Sequence, residues 1–169
     1  MKTNIKYLAS TFTLILLLVG CSLPAQKNAE TFDGMLKGLL DYSVPYVTVE
    51  ELKELDKPIL LDAREKKEYE ISHIDGAQWV GYNTFSSKRV AELDKHDTIV
   101  IYCSVGYRSE KVGEKLQALG FSNVYNLYGS IFQWVNEGNP VVNDKGETEE
   151  VHAFDKDWGK WLLKGTKVY

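Results

Sequence analysis

The sequence predicts an α/β domain with a mainly parallel central sheet, and three observations carry that prediction. Short apolar runs alternate with helical patterns at intervals of about 15–30 residues. The run Thr98-Ile99-Val100-Ile101-Tyr102 is β-branched and apolar throughout, as expected of a buried strand. The next segment, Ser109 to Leu119, sets Val112, Leu116 and Leu119 at helical spacing and meets a stop signal at Gly120.

Taken in order, Thr31 to Asp41 carries Met35, Leu36, Leu39 and Leu40 and predicts a short amphipathic helix. Thr48-Val49-Glu50-Glu51 is a capping box opening a helix that reaches about Leu55. Pro58 to Asp62 is a short buried strand. Arg64 to Ile71 is a charged helix with Tyr69 and Ile71 turned inward, and His73-Ile74-Asp75-Gly76 is a turn before a strand over Ala77 to Val80. Asn83 to Leu93 reads as a helix capped by Asn83 or Thr84. Asn123 to Leu127 is a further strand, and Ile131 to Asn136 a short helix ended by Glu137-Gly138-Asn139-Pro140. The tail from Val141 to Tyr169 is polar first and then aromatic, with Phe154, Trp158, Trp161 and Tyr169. Such aromatics dock a chain end on its own domain or meet a partner; docking is expected here.

The N-terminus is of different material. Lys2 and Lys6 precede an apolar stretch from Phe12 to Val19 that is too short to span a bilayer comfortably. Its ending, Leu18-Val19-Gly20-Cys21, resembles the bacterial lipoprotein signal. The resemblance implies that residues 1–20 are a signal peptide and that Cys21 becomes a lipidated N-terminus. Residues 22–30 then read as a tether, within a leading segment 21–45. It implies an exported protein anchored to a membrane through lipid on Cys21, on the periplasmic or extracytoplasmic side. Cleavage removes two of 20 basic residues and none of 24 acidic ones, leaving 18 against 24 and a net charge of −6. No basic block stands out, so nucleic acid is excluded as a partner.

The chain has two cysteines. With Cys21 assigned to lipid, Cys103 is a lone thiol with no disulfide partner in the chain. The three histidines, His73, His96 and His152, are scattered, so neither a metal nor a cofactor is expected. Cys103 lies where a strand ends and a helix begins, the place where open α/β sheets bind ligands. The free N–H groups of that helix start favour negative charge, which lowers a thiol pKa. Gly106 lets the backbone curl with its N–H groups inward. Arg108 adds a permanent cation, and Ser109 can cap the helix and donate a hydroxyl hydrogen bond. Ser104, Val105 and Tyr107 complete the loop, with Tyr107 lining its mouth. A buried structural cysteine is the competing reading, but it leaves Gly106, Arg108 and Ser109 at these spacings without a reason.

Cys103, Gly106, Arg108 and Ser109 match the pattern Cys-x-x-Gly-x-Arg-Ser, and the chain resembles the single-domain rhodaneses, a family of sulfurtransferases. Leu61-Asp62-Ala63-Arg64 with Glu68-Tyr69, Ser72-His73-Ile74-Asp75-Gly76-Ala77, and Gly129-Ser130 through Trp134 to Gly138-Asn139-Pro140-Val141 fit the family's other segments in order. The resemblance spans residues 46–142 and leaves 143–169 as a C-terminal extension. Ser72, Asp75 and Ser130 depart from the usual Gly, Pro and Gly. The resemblance implies a rhodanese-like fold with helices on both faces of the sheet. It implies transfer of a sulfane sulfur from thiosulfate or a similar small anionic donor to a thiol or cyanide acceptor, through a persulfide on the catalytic Cys103. Ser104 to Ser109 would bind the substrate, and Asp62 and Arg64 would form a structural ion pair nearby. A persulfide carrier or binding module that docks a protein partner is the alternative. A cysteine phosphatase or arsenate reductase is disfavoured, because those families place five residues between Cys and Arg, whereas four separate Cys103 from Arg108.

Overall fold

Side chains of the central strand alternate between two cores, and that alternation organises the molecule. The computed structural model describes residues 31–169. The expected signal peptide, the Cys21 lipidation site and the tether to residue 30 lie outside the described residues.

The chain opens with α1 (Phe32–Leu39), capped by Thr31, then β1 (Tyr46–Val47) and α2 (Val49–Glu54), whose capping box joins Thr48 and Glu51 as predicted. It continues through β2 (Ile59–Asp62), α3 (Lys66–Ile71), β3 (Gln78–Trp79), β4 (Thr98–Tyr102), α4 (Tyr107–Ala118), β5 (Asn123–Leu127) and α5 (Ser130–Asn136). The five strands form one sheet in the order β1-β5-β4-β2-β3, and every pairing is parallel. In β4, Val100 and Tyr102 point into a core with Leu36 of α1, Leu52 of α2 and Ile131 and Phe132 of α5. Ile99 and Ile101 point the other way, into a core with Val112 and Leu116 of α4. Helices therefore cover both faces, as the resemblance implied.

Three local expectations are corrected. Residues 83–93 do not form an α-helix; only a 3₁₀ turn spans Ser87–Val90, capped by Ser86. Val90 is its single buried residue, and one apolar anchor is too little to hold an amphipathic helix. In α3 the buried side chain is Glu68, while Tyr69 and Ile71 are half-buried. The helix after Cys103 starts at Tyr107, two residues earlier than the apolar spacing suggested, because Gly106 turns the chain with φ +125°.

The chain beyond α5 carries small elements of its own. It forms a hairpin of β6 (Val141–Asn143) and β7 (Gly146–Thr148), then a parallel pair of β8 (Glu150–His152) and β9 (Thr166–Val168) with α6 (Lys156–Gly159) between them. Val151, Ala153 and Leu162 are buried in the core that α1, α2 and α5 share, and the Trp161 ring stacks on Phe32 at 5.6 Å. Of the tail aromatics, Trp158 and Trp161 thus dock on the chain's own domain, while Phe154 and Tyr169 stay exposed.

Candidate active site

Cys103 is the first residue beyond β4, and it is 1% exposed. The loop it opens is clamped from three sides. The N–H of Cys103 donates to Ser130 Oγ (3.1 Å), whose hydroxyl lies 3.2 Å from the Leu127 carbonyl. At the start of α5, the N–H groups of Ile131 and Phe132 donate to the carbonyls of Cys103 (3.2 Å) and Ser104 (3.1 Å). On the α4 side, Asn126 Nδ2 donates to the Gly106 carbonyl (3.0 Å), and the Ser109 hydroxyl lies 2.7 Å from Asn126 Oδ1 and 3.0 Å from that same carbonyl. Ser130 sits at φ +53°, a left-handed conformation suited to the glycine usual there, and its hydroxyl supplies an acceptor that glycine lacks.

Gly106 makes the sulfur's surroundings possible. Its N–H donates to Cys103 Sγ at 3.1 Å. A Cβ added there would meet Leu40 Cδ2 at 3.3 Å, on a backbone that L residues rarely adopt. Burial alone pushes the Cys103 thiol pKa up. The Arg108 charge outweighs it together with hydrogen bonds from Ser109 and Gly106, and the thiol is held below its ordinary value.

Arg108 does not point freely at the sulfur. Its guanidinium forms a two-pronged pair with Glu68, Nη1 to Oε2 at 2.7 Å and Nη2 to Oε1 at 2.8 Å, and Nη2 also donates to Ser104 Oγ (2.9 Å). Burial favours a neutral Glu68, yet Arg108 holds its carboxyl below the usual carboxylate range. In this geometry Arg108 braces the loop through Glu68 and Ser104.

Asp62 and Arg64 form a fully buried pair beneath the loop, with Nη2 to Oδ2 at 2.6 Å and Nε 3.1 and 3.0 Å from the two carboxylate oxygens. Arg64 also donates to the Ser72 carbonyl (2.6 Å), fixing the turn that follows α3. His73 stacks on Tyr69, with its Nδ1 3.0 Å from the Tyr69 carbonyl, so it is engaged within that turn.

Sequence reasoning assigned no role to Glu68, Asn126 or Ser130. Asn126 was detectable: it is a polar residue at an inward position of an alternating strand. A cavity of about 240 Å³ opens over the sulfur, and Leu39, Phe154 and Trp158 line it beside Ser104, Val105, Tyr107 and Arg108. Among the described residues, no group of three His, Cys, Asp or Glu side chains is placed to hold a metal ion.

The family model described as "Rhodanese-like domain" matches residues 48–137. A probable adenylyltransferase/sulfurtransferase MoeZ of Mycobacterium tuberculosis is 35% identical over 99 residues, covering 56% of this chain and 25% of that protein. A tRNA uridine(34) hydroxylase of Sodalis glossinidius is 36% identical over 123 residues, 68% of this chain and 35% of its own. The putative sulfur carrier protein YrkF of Bacillus subtilis is 32% identical over 99 residues, 56% and 53% respectively. The chain thus spans only part of the length of these relatives. Among solved structures, the BH2092 protein of Bacillus halodurans superposes with a TM-score of 0.55 at 25% identity, covering 69% of this chain and 87% of that one. The thiosulfate sulfurtransferase of Pseudomonas aeruginosa does so at 0.54 and 26%, covering 70% of this chain and 23% of that one.

Proposed function

We propose that this chain, which belongs to the rhodanese-like domain family and is similar to a probable adenylyltransferase/sulfurtransferase, moves a sulfane sulfur from a donor such as thiosulfate to a thiol acceptor through a persulfide on Cys103. The observation that carries the reading is the Gly106 N–H aimed at Cys103 Sγ, in a loop where Arg108 and Ser109 also lower the thiol pKa. In the first step the Cys103 thiolate attacks the outer sulfur of thiosulfate. A sulfur–sulfur bond to Cys103 forms, the donor's own bond breaks, and its electron pair leaves with sulfite. In the second step an acceptor thiolate takes the outer sulfur, and the Cys103 thiolate is restored. The N–H groups from Ser104 to Ser109 hold the anionic persulfide between the steps.

Cys103 is the free cysteine among the described residues, so no second thiol of the domain receives the sulfur and the acceptor comes from outside it. The likeness to a putative sulfur carrier protein supports a variant of the same reading, in which the acceptor is a protein. The occupied fork of Arg108 speaks against phosphate chemistry, which needs that fork for its substrate. Intact-mass measurement after thiosulfate treatment tests the proposal. The protein should gain one sulfur atom, lose it to cyanide, and gain nothing in Cys103→Ser.

The lipoprotein reading of residues 1–21 is proposed on the same terms. Cells fed a labelled fatty acid should incorporate it into the full chain and not into Cys21→Ser, and the variant should leave the membrane fraction.

A further inference from the structure

The mouth over Cys103 is built in part by residues that the family match does not contain. The match covers residues 48–137, yet Leu39 comes from α1, and Phe154 and Trp158 come from the C-terminal extension. With Val105 and Tyr107 they make a wall that is almost wholly apolar and faces the sulfur. Phe154 is held there against its own preferences. Its backbone is left-handed at φ +66°, the residue is 45% exposed, and its N–H donates to Nδ1 of the buried His152 (3.0 Å). The ring lies 5.1 Å from the Arg108 guanidinium, closing the space over the loop. Among the described residues Arg108 is the one cation lining this cavity, and the Glu68 carboxylate compensates its charge. An anionic donor entering here meets hydrocarbon and no uncompensated side-chain cation.

We propose that this cavity takes a small organic persulfide with an uncharged hydrocarbon or aromatic body, and that Phe154 and Trp158 set that preference. The inference rests on the sulfur-transfer reading of Cys103 and names its substrate class. A volume of about 240 Å³ matches about eight waters at ~30 Å³ each, room for one aromatic ring on a short stem. The Cys103 thiolate attacks the outer sulfur of R–S–SH. The bond from Cys103 to that sulfur forms, the S–S bond of the donor breaks, and the electron pair leaves on the inner sulfur as R–S⁻. The proton of the transferred sulfur then passes to R–S⁻, leaving an anionic Cys103 persulfide and the free thiol. No oxidant or reductant is consumed.

Rapid-quench loading of Cys103, read by intact mass, tests this with benzyl persulfide, cysteine persulfide and thiosulfate. Each persulfide rate is divided by that donor's rate with a small free thiol, which removes intrinsic reactivity. The wild-type protein should load from benzyl persulfide about 10-fold or more faster than from the zwitterionic cysteine persulfide, the scale of discrimination that apolar pockets reach. Phe154→Asn, a side chain that tolerates the left-handed backbone, and Trp158→Ala should each cut that ratio to about threefold or less, with melting curves confirming that they fold. A wild-type ratio near one, or a ratio that both folded variants keep, overturns the inference alone. Loading from none of the three donors overturns the sulfur-transfer reading and the inference with it.

Discussion

Replacing Arg108 with Gln should destabilise the protein by about 3–5 kcal/mol at pH 7, and the loss should shrink on acidification. The Glu68 side chain is 1% exposed and that of Arg108 13%, so solvent screens the pair little. Without Arg108, the carboxylate keeps the Glu65 N–H (2.9 Å), the Ser104 hydroxyl 3.4 Å away and the weaker pull of the Arg64 charge. A buried charge stripped of its partner costs the quoted amount, and a chain of this length would lose roughly 6–20 °C in Tm. The pH dependence follows from Glu68. In the wild-type protein burial raises its pKa, but Arg108, together with the Glu65 N–H and the Arg64 charge, more than reverses this, so the folded value lies below the unfolded one. The stability this adds is present above the unfolded pKa of ~4.3 and is lost as pH falls through the folded value. In the variant burial dominates and the folded pKa rises above the unfolded one. Its penalty is full at neutral pH and eases as Glu68 takes up a proton. Urea unfolding at pH 7, 5.5 and 4.5, run as a double-mutant cycle with Glu68→Gln, measures both effects. A loss under about 1 kcal/mol at pH 7, the worth of an exposed pair, or a loss that grows on acidification, refutes the reasoning.

Alkylation of Cys103 by iodoacetamide should titrate below the ~8.5 of a free thiol, and Arg108→Gln should move the curve upward; an unmoved curve removes Arg108 from the activation of the sulfur. Asp62→Ala should cost about 3–5 kcal/mol by leaving the fully buried Arg64 charge unpaired, read as a lower urea midpoint with Cys103 loading still measurable in the folded fraction. Ser130→Ala removes the acceptor of the Cys103 N–H and should cost about 1–3 kcal/mol. Gly106→Ala, strained at φ +125° and tight against Leu40, should slow persulfide formation more than any change on the outer face of α4; equal rates in the quench assay would dismiss the loop geometry as the source of reactivity.

Much of this architecture was legible in the sequence because it is local. The run from Thr98 to Tyr102, the capping box at Thr48 and Glu51, and the spacing of Val112 and Leu116 each report on neighbours within a turn or a strand. The errors fell where local pattern and burial part company. Residues 83–93 carry plausible caps and yet bury only Val90 within their 3₁₀ turn. The inward residue of α3 is an acid, Glu68, which an apolar count turns outward. Glu68 stands in a segment already matched to the family, but its partner is 40 residues away, and nothing in the spacing of either joins them.

By itself the sequence determined the strand that ends at Cys103, the turn that follows it and the alternation that builds a parallel sheet, since periods of 2 and 3.6 residues and a glycine's freedom are properties of short stretches. The tertiary structure alone decided what compensates Arg108 and what walls the sulfur. Those depend on how the strand order β1-β5-β4-β2-β3 and the returning extension bring Glu68, Leu39, Phe154 and Trp158 to one end of β4. Contacts between such distant residues follow the path of the chain through space, which no local period encodes.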